Sequence, residues 1–64
     1  MEFKEKVLHA RAKLNLTQAE LGEKLSVSLG TINRWESGKV NPTRKAICAF
    51  EQFCKENKIK FEED

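Results

Sequence analysis

The sequence predicts an all-α fold, a compact bundle of four to five short helices. Apolar residues recur three and four positions apart in four separate stretches, which is the spacing of an amphipathic helix. Residues that cap helix N-termini, Thr17, Ser28 and Thr43, precede three of these stretches. A chain of 64 residues holds one domain at most and buries only about 60% of its surface on folding, so the core must be small.

Charge is unevenly distributed along the chain. Twelve Lys and Arg against ten Asp and Glu give a net charge of +2, which says little about partners. Residues 24–45, however, hold five basic side chains and a single acid, Glu36, whereas residues 62–64 are all acidic. The average therefore conceals a basic middle.

The two cysteines do not indicate a disulfide or a metal site. Cys48 and Cys54 are six positions apart in one helical pattern, about 9 Å along the axis and on different faces, which is too far for a disulfide. Both are expected to be small buried groups in a reducing compartment. With only His9 beside them, they are too few for a zinc site.

Several classes of function are excluded by what the sequence lacks. It has no paired carboxylates, activated nucleophile or phosphate-binding loop, so an enzyme is excluded and no cofactor or small-molecule ligand is expected. No apolar run approaches the roughly 18 residues of a membrane span, and no apolar signal region follows the charged N-terminus. We expect a soluble, cytoplasmic protein.

The first helix is predicted over residues 3–14. Asn15 follows it, a residue that tolerates the left-handed conformation of a helix C-cap. His9 is expected to be solvated. The residues expected on or beside the apolar face are Phe3, Val7, Leu8, Ala10, Ala12 and Leu14.

The second helix is predicted to begin just after Thr17, because Thr17 and Glu20 match a capping box. Gly22 is a small residue where another backbone can approach. A helix of about eight residues is too short to be stable alone, so tertiary contacts must stabilise it. Its expected inner face is Ala19, Leu21 and Leu25.

The third helix is predicted over residues 28–36, with Ser28 as its N-cap. Ile32 and Trp35 project to one side, together with Val27 from the preceding turn. Leu29 and Gly30 face away from that side, where Glu, Lys or Ala would stabilise a solvent-exposed helix better. Stability alone does not explain this surface, which we interpret as a contact surface.

A loop over residues 37–42 separates the third and fourth helices, with Gly38 suited to a left-handed C-cap. The fourth helix runs to about residue 57, and either Thr43 or Asn41 caps it. Its apolar stripe is Ala46, Ile47, Phe50, Phe53 and Cys54. Residues 1–57 are therefore assigned to the domain and residues 58–64 to a tail, which packs on the core or forms a dimer contact.

Two segments resemble a known family. The sequence LTQAELGEKLSVS (residues 16–28) is followed by TINRWESGK (residues 31–39) and then by Pro42. Over residues 7–53 the chain resembles the phage repressor and Cro-like helix-turn-helix family, often called the XRE family. The resemblance implies a lambda-repressor-like bundle that binds double-stranded DNA sequence-specifically, as a prokaryotic or phage transcriptional regulator.

In such a protein the second helix of the motif enters the major groove, which is about 12 Å wide and admits an α-helix. Arg34 then matches a bidentate contact to guanine, Asn33 a contact to adenine or a phosphate, and Leu29 a contact to a thymine methyl group. The residues expected to contact bases are Ser28, Leu29, Gly30, Asn33 and Arg34. The residues expected to contact phosphates are Thr17, Gln18, Ser37, Gly38, Lys39, Arg44 and Lys45.

The resemblance also implies a structural ion pair. Arg11 and Glu36 fall where family members pair an arginine of the first helix with the glutamate that closes the recognition helix; the alternative is two solvated charges. Two positions depart from the family pattern, because Ser26 replaces a common glycine and Gly22 a common alanine. If Ser26 adopts positive φ, we expect strain of about 1 kcal/mol.

A protein-interaction module, such as an antitoxin-like partner-binding domain, is the alternative function, and an exposed Leu29 with Ile59 and Phe61 would fit it. The basic residues on one predicted face favour the duplex DNA operator instead. Family members usually dimerise so that two recognition helices lie one DNA turn, about 34 Å, apart. A homodimer is therefore expected, with Phe53, Ile59 and Phe61 as its contact unless they complete the core.

Overall fold

This computed structural model describes residues 1–61 of the chain, and these residues contain four helices. They are α1 (Phe3–Leu14), α2 (Gln18–Leu25), α3 (Leu29–Ser37) and α4 (Arg44–Glu56), and residues 1–61 contain no strand. The all-α fold predicted from the sequence is confirmed. No helix within this range is long and apolar enough to span a membrane.

Side-chain caps set where three of the helices begin. The hydroxyls of Thr17, Ser28 and Thr43 each accept a bond from the backbone N–H three residues on, at 3.1, 3.2 and 3.1 Å. Thr43, rather than Asn41, is therefore the N-cap of α4. Because Ser28 lies before the first helical residue and Gly38 closes the last turn, α3 is shifted one residue from the range predicted for it.

The first three helices end in left-handed residues. Asn15, Ser26 and Gly38 have φ values of 55°, 60° and 75°. Glycine and, to a lesser degree, asparagine adopt this conformation readily, whereas serine does not. The positive φ considered for Ser26 is thus present, and strain is expected at this one cap.

The core lies between the helices and includes one residue from the tail. Its largest fully buried side chains are Val7 from α1, Leu21 from α2, Ile32 from α3 and Phe50 from α4. The ring of Phe3 makes edge contacts with the rings of Trp35 and Phe50, each at a centroid distance of 5.3 Å. The buried set is completed by Ala10, Trp35, Phe53, Cys54 and Ile59.

Four residues expected inside are exposed: Leu8, Ala12, Ala19 and Cys48. Each lies at a large angle around the helix axis from the buried residues, and the buried face of these short helices is narrow. Cys48, for example, is rotated about 240° from Cys54, so both cannot face the core. Only Cys54 is buried, and burial raises the pKa of its thiol to about 11.

The described part of the tail folds back onto the core. Lys58 has φ 58°, and the next N–H, that of Ile59, donates to the Cys54 carbonyl oxygen at 2.8 Å. Ile59 is buried, and the Phe61 ring stacks on Phe50 at 6.3 Å and meets His9 at 5.4 Å. The tail is thus packed on the core as far as residue 61, while residues 62–64 lie outside the described range.

Candidate nucleic-acid interface

The turn between α2 and α3 is closed by a backbone contact at Gly22. The Gly22 carbonyl oxygen accepts a bond from the Val27 N–H at 2.9 Å. A Cβ on Gly22 would lie 2.7 Å from the Val27 carbonyl oxygen, closer than such atoms approach in proteins. Glycine therefore lets this turn close and fixes the position of α3 against α2.

The two faces of α3 have opposite character. Ile32 is fully buried and Trp35 is 5% exposed, so this face is part of the core. On the other side, Leu29 is 52% exposed, and Asn33 and Arg34 are also exposed. Within residues 1–61, neither the Asn33 amide nor the Arg34 guanidinium has a hydrogen-bond partner. Their donors and acceptors are available to a ligand.

The first turn of α3 holds the remaining two residues expected to contact bases. The Ser28 hydroxyl accepts from the Thr31 N–H at 3.2 Å and lies 3.0 Å from the Thr31 hydroxyl. Ser28 therefore has a capping role, and Thr31, which the sequence analysis did not assign to the interface, shares its hydroxyl pair. Above Gly30 there is open space, since a Cβ there would meet only the Ser28 hydroxyl oxygen, at 3.8 Å.

A bidentate ion pair ties α1 to the end of α3. Arg11 Nε and Nη2 donate to the two Glu36 carboxylate oxygens at 2.6 and 3.1 Å. Arg11 Nη1 also donates to the Leu16 carbonyl oxygen at 3.1 Å, which fixes the loop before α2. The Glu36 side chain is 8% exposed and that of Arg11 26%. The structure thus brings together the two residues expected to pair.

Gln18 belongs to the same cluster, a role that the sequence analysis missed. Its side-chain Nε2 donates to Glu36 Oε1 at 2.8 Å. Gln18 is the first residue of α2, and the bond spans 18 positions of sequence, so no local pattern could have indicated it. The Glu36 carboxylate therefore fixes the Gln18 side chain, leaving one amide N–H and the amide oxygen for a further partner.

Thr17 and Glu20 form the predicted capping box at the start of α2. The Thr17 N–H donates to Glu20 Oε1 at 2.8 Å, while the Thr17 hydroxyl accepts from the Glu20 N–H at 3.1 Å. Hydrogen bonds to the Glu20 carboxylate, first from the Thr17 N–H and then from the Thr17 side chain, lower the pKa of this carboxyl, with a smaller contribution from the charge of Lys24.

The corner after α3, residues 37–39, uses most of its polar groups internally. The Gly38 N–H donates to the Trp35 carbonyl oxygen at 3.2 Å. The Ser37 hydroxyl donates to the Arg34 carbonyl oxygen at 2.9 Å, and the Lys39 N–H approaches the Ser37 hydroxyl at 3.4 Å. The expected phosphate contact through the Gly38 amide is therefore not supported, because its one hydrogen is already donated. The exposed Lys39 side chain takes no part in these hydrogen bonds.

The start of α4 carries two exposed cations, Arg44 and Lys45, directly after the Thr43 cap. The first turns of α3 and α4 contain no acidic residue, whereas those of α1 and α2 contain Glu5 and Glu20. An acid in the first turn offsets the partial positive charge of a helix N-terminus. That partial charge is therefore not offset on α3 and α4.

This bundle, with two helices joined by a tight turn and the second presenting a polar outer face, defines a helix-turn-helix protein. A helix-turn-helix family model matches residues 8–57, and the chain belongs to that family. The resemblance to XRE-type regulators is thereby confirmed.

One curated relative matches most of the chain. The HTH-type transcriptional activator BcrR of Enterococcus faecalis is 43% identical over 53 residues, which are 83% of this chain and 26% of that protein. The chain therefore spans about a quarter of that relative's length. No solved structure matches the chain significantly.

Proposed function

We propose that the chain binds duplex DNA sequence-specifically as the DNA-binding part of a transcription regulator, with α3 in the major groove. The outer face of α3 carries the proposal, because Leu29, Asn33 and Arg34 are exposed there while the opposite face is packed. Membership of the helix-turn-helix family and similarity to a transcriptional activator support the same function. Binding to duplex DNA implies that the protein functions in the cytoplasm, at the nucleoid.

The side chains on that face suit different features of the groove. The guanidinium of Arg34 matches the two acceptors of guanine, N7 and O6, and the amide of Asn33 matches adenine. Leu29 has no polar atom beyond its backbone, so its contribution is apolar contact with a thymine methyl group. The open space at Gly30 lets a base edge approach the α3 backbone. This combination favours a mixed site that contains both guanine and thymine.

Phosphate contacts come from the residues around α3. Gln18 and Thr17 lie at the start of α2, and the Gln18 amide N–H that is not bonded to Glu36 is the donor for a phosphate there. Lys39, Arg44 and Lys45 supply charge on the loop and at the start of α4. These contacts set affinity and register rather than base preference.

The salt dependence of DNA binding tests the proposal. Each phosphate contact contributes about −0.9 to the slope of log K against log salt concentration. We expect a steep fall in the affinity for labelled duplex DNA, followed by fluorescence anisotropy, between roughly 50 and 200 mM salt. A flat titration, or no binding, would contradict DNA binding.

A matched pair of double variants separates phosphate contacts from net charge. Arg44→Gln with Lys45→Gln should make the slope shallower by about 1.8, since two phosphate contacts are lost. Lys55→Gln with Lys60→Gln removes the same charge from the C-terminal end of α4 and the tail. Equal effects of the two pairs would show a nonspecific charge effect, contrary to the proposed interface.

A homodimer on the operator completes this proposal, because one helix in one groove contacts few base pairs. Two copies would place their recognition helices about 34 Å apart. The contact expected from the sequence needs correction, however: Phe53 is 8% exposed and Ile59 6%, so both complete the monomer core. Of that set only Phe61 retains partial exposure. Light scattering of the protein with operator DNA should give two chains per duplex, and one chain would contradict the dimer.

The alternative, a protein-interaction module, rests on the exposed Leu29. It loses the support expected from Ile59, which is buried. Replacing Leu29 by Ala should weaken binding to preferred DNA under the DNA proposal. An affinity for DNA that stays unchanged in this variant would favour a protein partner for Leu29.

A further inference from the structure

We propose that Lys4 is a phosphate contact outside the helix-turn-helix motif, an assignment that rests on the proposed DNA binding. Lys4 lies in the first turn of α1, and its sequence position suggests only a solvated side chain. In the structure it reaches the corner after α3. Its Cδ and Nζ atoms lie 3.1 and 3.6 Å from the point that a Cβ on Gly38 would occupy.

Lys4 is free to bind an anion there. It is exposed, and within residues 1–61 its ammonium group has no hydrogen-bond or ion-pair partner. A small cleft of about 140 Å³ opens between the start of α1 and the loop after α3. Glu2, Lys4 and Gly38 are among the residues that line this cleft. The one acid that lines the cleft, Glu2, is the N-cap of α1. The partial positive charge of the helix N-terminus partly offsets the negative charge of Glu2.

At the corner, side-chain cations rather than N–H or hydroxyl groups are the donors for a phosphate. The corner's own donors are largely engaged, since the Gly38 N–H donates to Trp35 and the Ser37 hydroxyl to Arg34. Side-chain ammonium groups are therefore the donors available at this point, and they form the stronger, charge-assisted bonds to phosphate. Lys39 supplies one from the loop, and Lys4 supplies a second from α1.

The position of the corner on the DNA follows from the orientation of α3. In helix-turn-helix complexes the N-terminal residues of the recognition helix contact base edges. The corner lies at the opposite, C-terminal end of α3, about 13.5 Å away along the helix axis. The corner, and Lys4 beside it, are then at the groove edge, where a cation contacts phosphate and carries no base preference.

Three single variants test Lys4 by salt titration on one duplex. Lys4→Gln should make the slope of log K against log salt concentration shallower by about 0.9. The ratio of the wild-type affinity to the Lys4→Gln affinity should therefore be about 3.5-fold smaller at 200 mM salt than at 50 mM salt. Lys4→Arg, which keeps the charge, should keep the wild-type slope. Lys55→Gln, an equal charge change about 16 Å along α4 from Arg44, is the control and should also keep the slope.

The outcomes are distinguishable from those of the proposed function. A wild-type chain that binds with a steep salt slope, while Lys4→Gln behaves like Lys55→Gln, would overturn the Lys4 contact alone. A Lys4→Arg variant that loses the slope would also overturn it. A wild-type chain that fails to bind duplex DNA would overturn both proposals. Because Lys4 is exposed, circular dichroism should show all three variants folded.

Discussion

The C-terminal end of α3 and its outer face use polar groups in opposite ways. At the C-terminal end, the Glu36 carboxylate accepts three bonds, two from Arg11 and one from Gln18, and the Glu36 side chain is 8% exposed. On the outer face, Asn33 and Arg34 have no side-chain partner within residues 1–61. One nine-residue helix therefore has its polar groups bonded at one place and unbonded at another, the face where we propose recognition. Substitutions should separate the two.

The largest effect on stability is expected at Arg11. Arg11→Ala leaves the Glu36 carboxylate buried with only Gln18 as a partner, so the free energy of unfolding should fall by about 3 kcal/mol. Partial exposure of Arg11 places this at the low end of the range for buried pairs. Urea denaturation followed by circular dichroism measures it. Lys13→Ala, on the exposed side of α1, is the control and should change stability by less than about 0.5 kcal/mol. A loss below about 1 kcal/mol for Arg11→Ala would indicate a solvated pair.

The largest effect on recognition is expected at Arg34. Arg34→Ala should weaken binding to the preferred site by roughly 1–3 kcal/mol, because a bidentate base contact is lost, with a much smaller effect on random DNA. Its unfolding free energy should stay close to that of the wild type. Lys39→Ala, a phosphate-contact control, should weaken binding to both DNAs alike. Equal losses on both DNAs for Arg34→Ala would assign it to the backbone instead.

Ser26 tests whether the turn affects stability without affecting recognition. Ser26→Gly removes the strain of a left-handed serine at φ 60°, and should raise the free energy of unfolding by up to about 1 kcal/mol. Asn15→Gly, at a cap with φ 55°, is the matched control with a smaller expected gain, because asparagine tolerates this conformation. Chemical denaturation measures both. No gain at Ser26 would show an unstrained cap, and altered base preference would show that the turn also sets recognition.

The smallest effect is a pH dependence from Glu20. Bonds to Thr17 hold the pKa of the Glu20 carboxyl below its unfolded value of 4.5. The stability from this capping box is therefore present above pH 4.5 and is lost as pH falls through the lower folded value. Thermal melting of wild type and Glu20→Gln at pH 6 and pH 3 should show a smaller acid loss in the variant. Equal acid losses would mean that the box does not act through the carboxylate.

Local sequence patterns predicted the helices and their caps well. Thr17, Ser28 and Thr43 each have a hydroxyl that accepts a backbone N–H within three residues, so the signal lies inside a short window. Gly22 was singled out for close approach of another backbone, and the structure places the Val27 carbonyl there. The family resemblance added the pairing of Arg11 with Glu36.

Contacts between distant residues were harder to predict. The bond from Gln18 to Glu36 and the approach of Lys4 to Gly38 join elements that meet only after the helices pack. The burial of Ile59 depends on a left-handed residue, Lys58, whose conformation sequence does not suggest. The choice between a core residue and a dimer contact therefore required the structure.

Selection of binding sites from a random pool of duplex DNA, with the wild type and Arg34→Ala in parallel, is the direct test of base recognition by the outer face of α3. We expect the wild type to enrich a defined sequence containing guanine. We expect Arg34→Ala to keep this sequence except for lost preference at that guanine. Failure to enrich any sequence, or the same sequence from both proteins, would contradict the assignment of recognition to the outer face of α3.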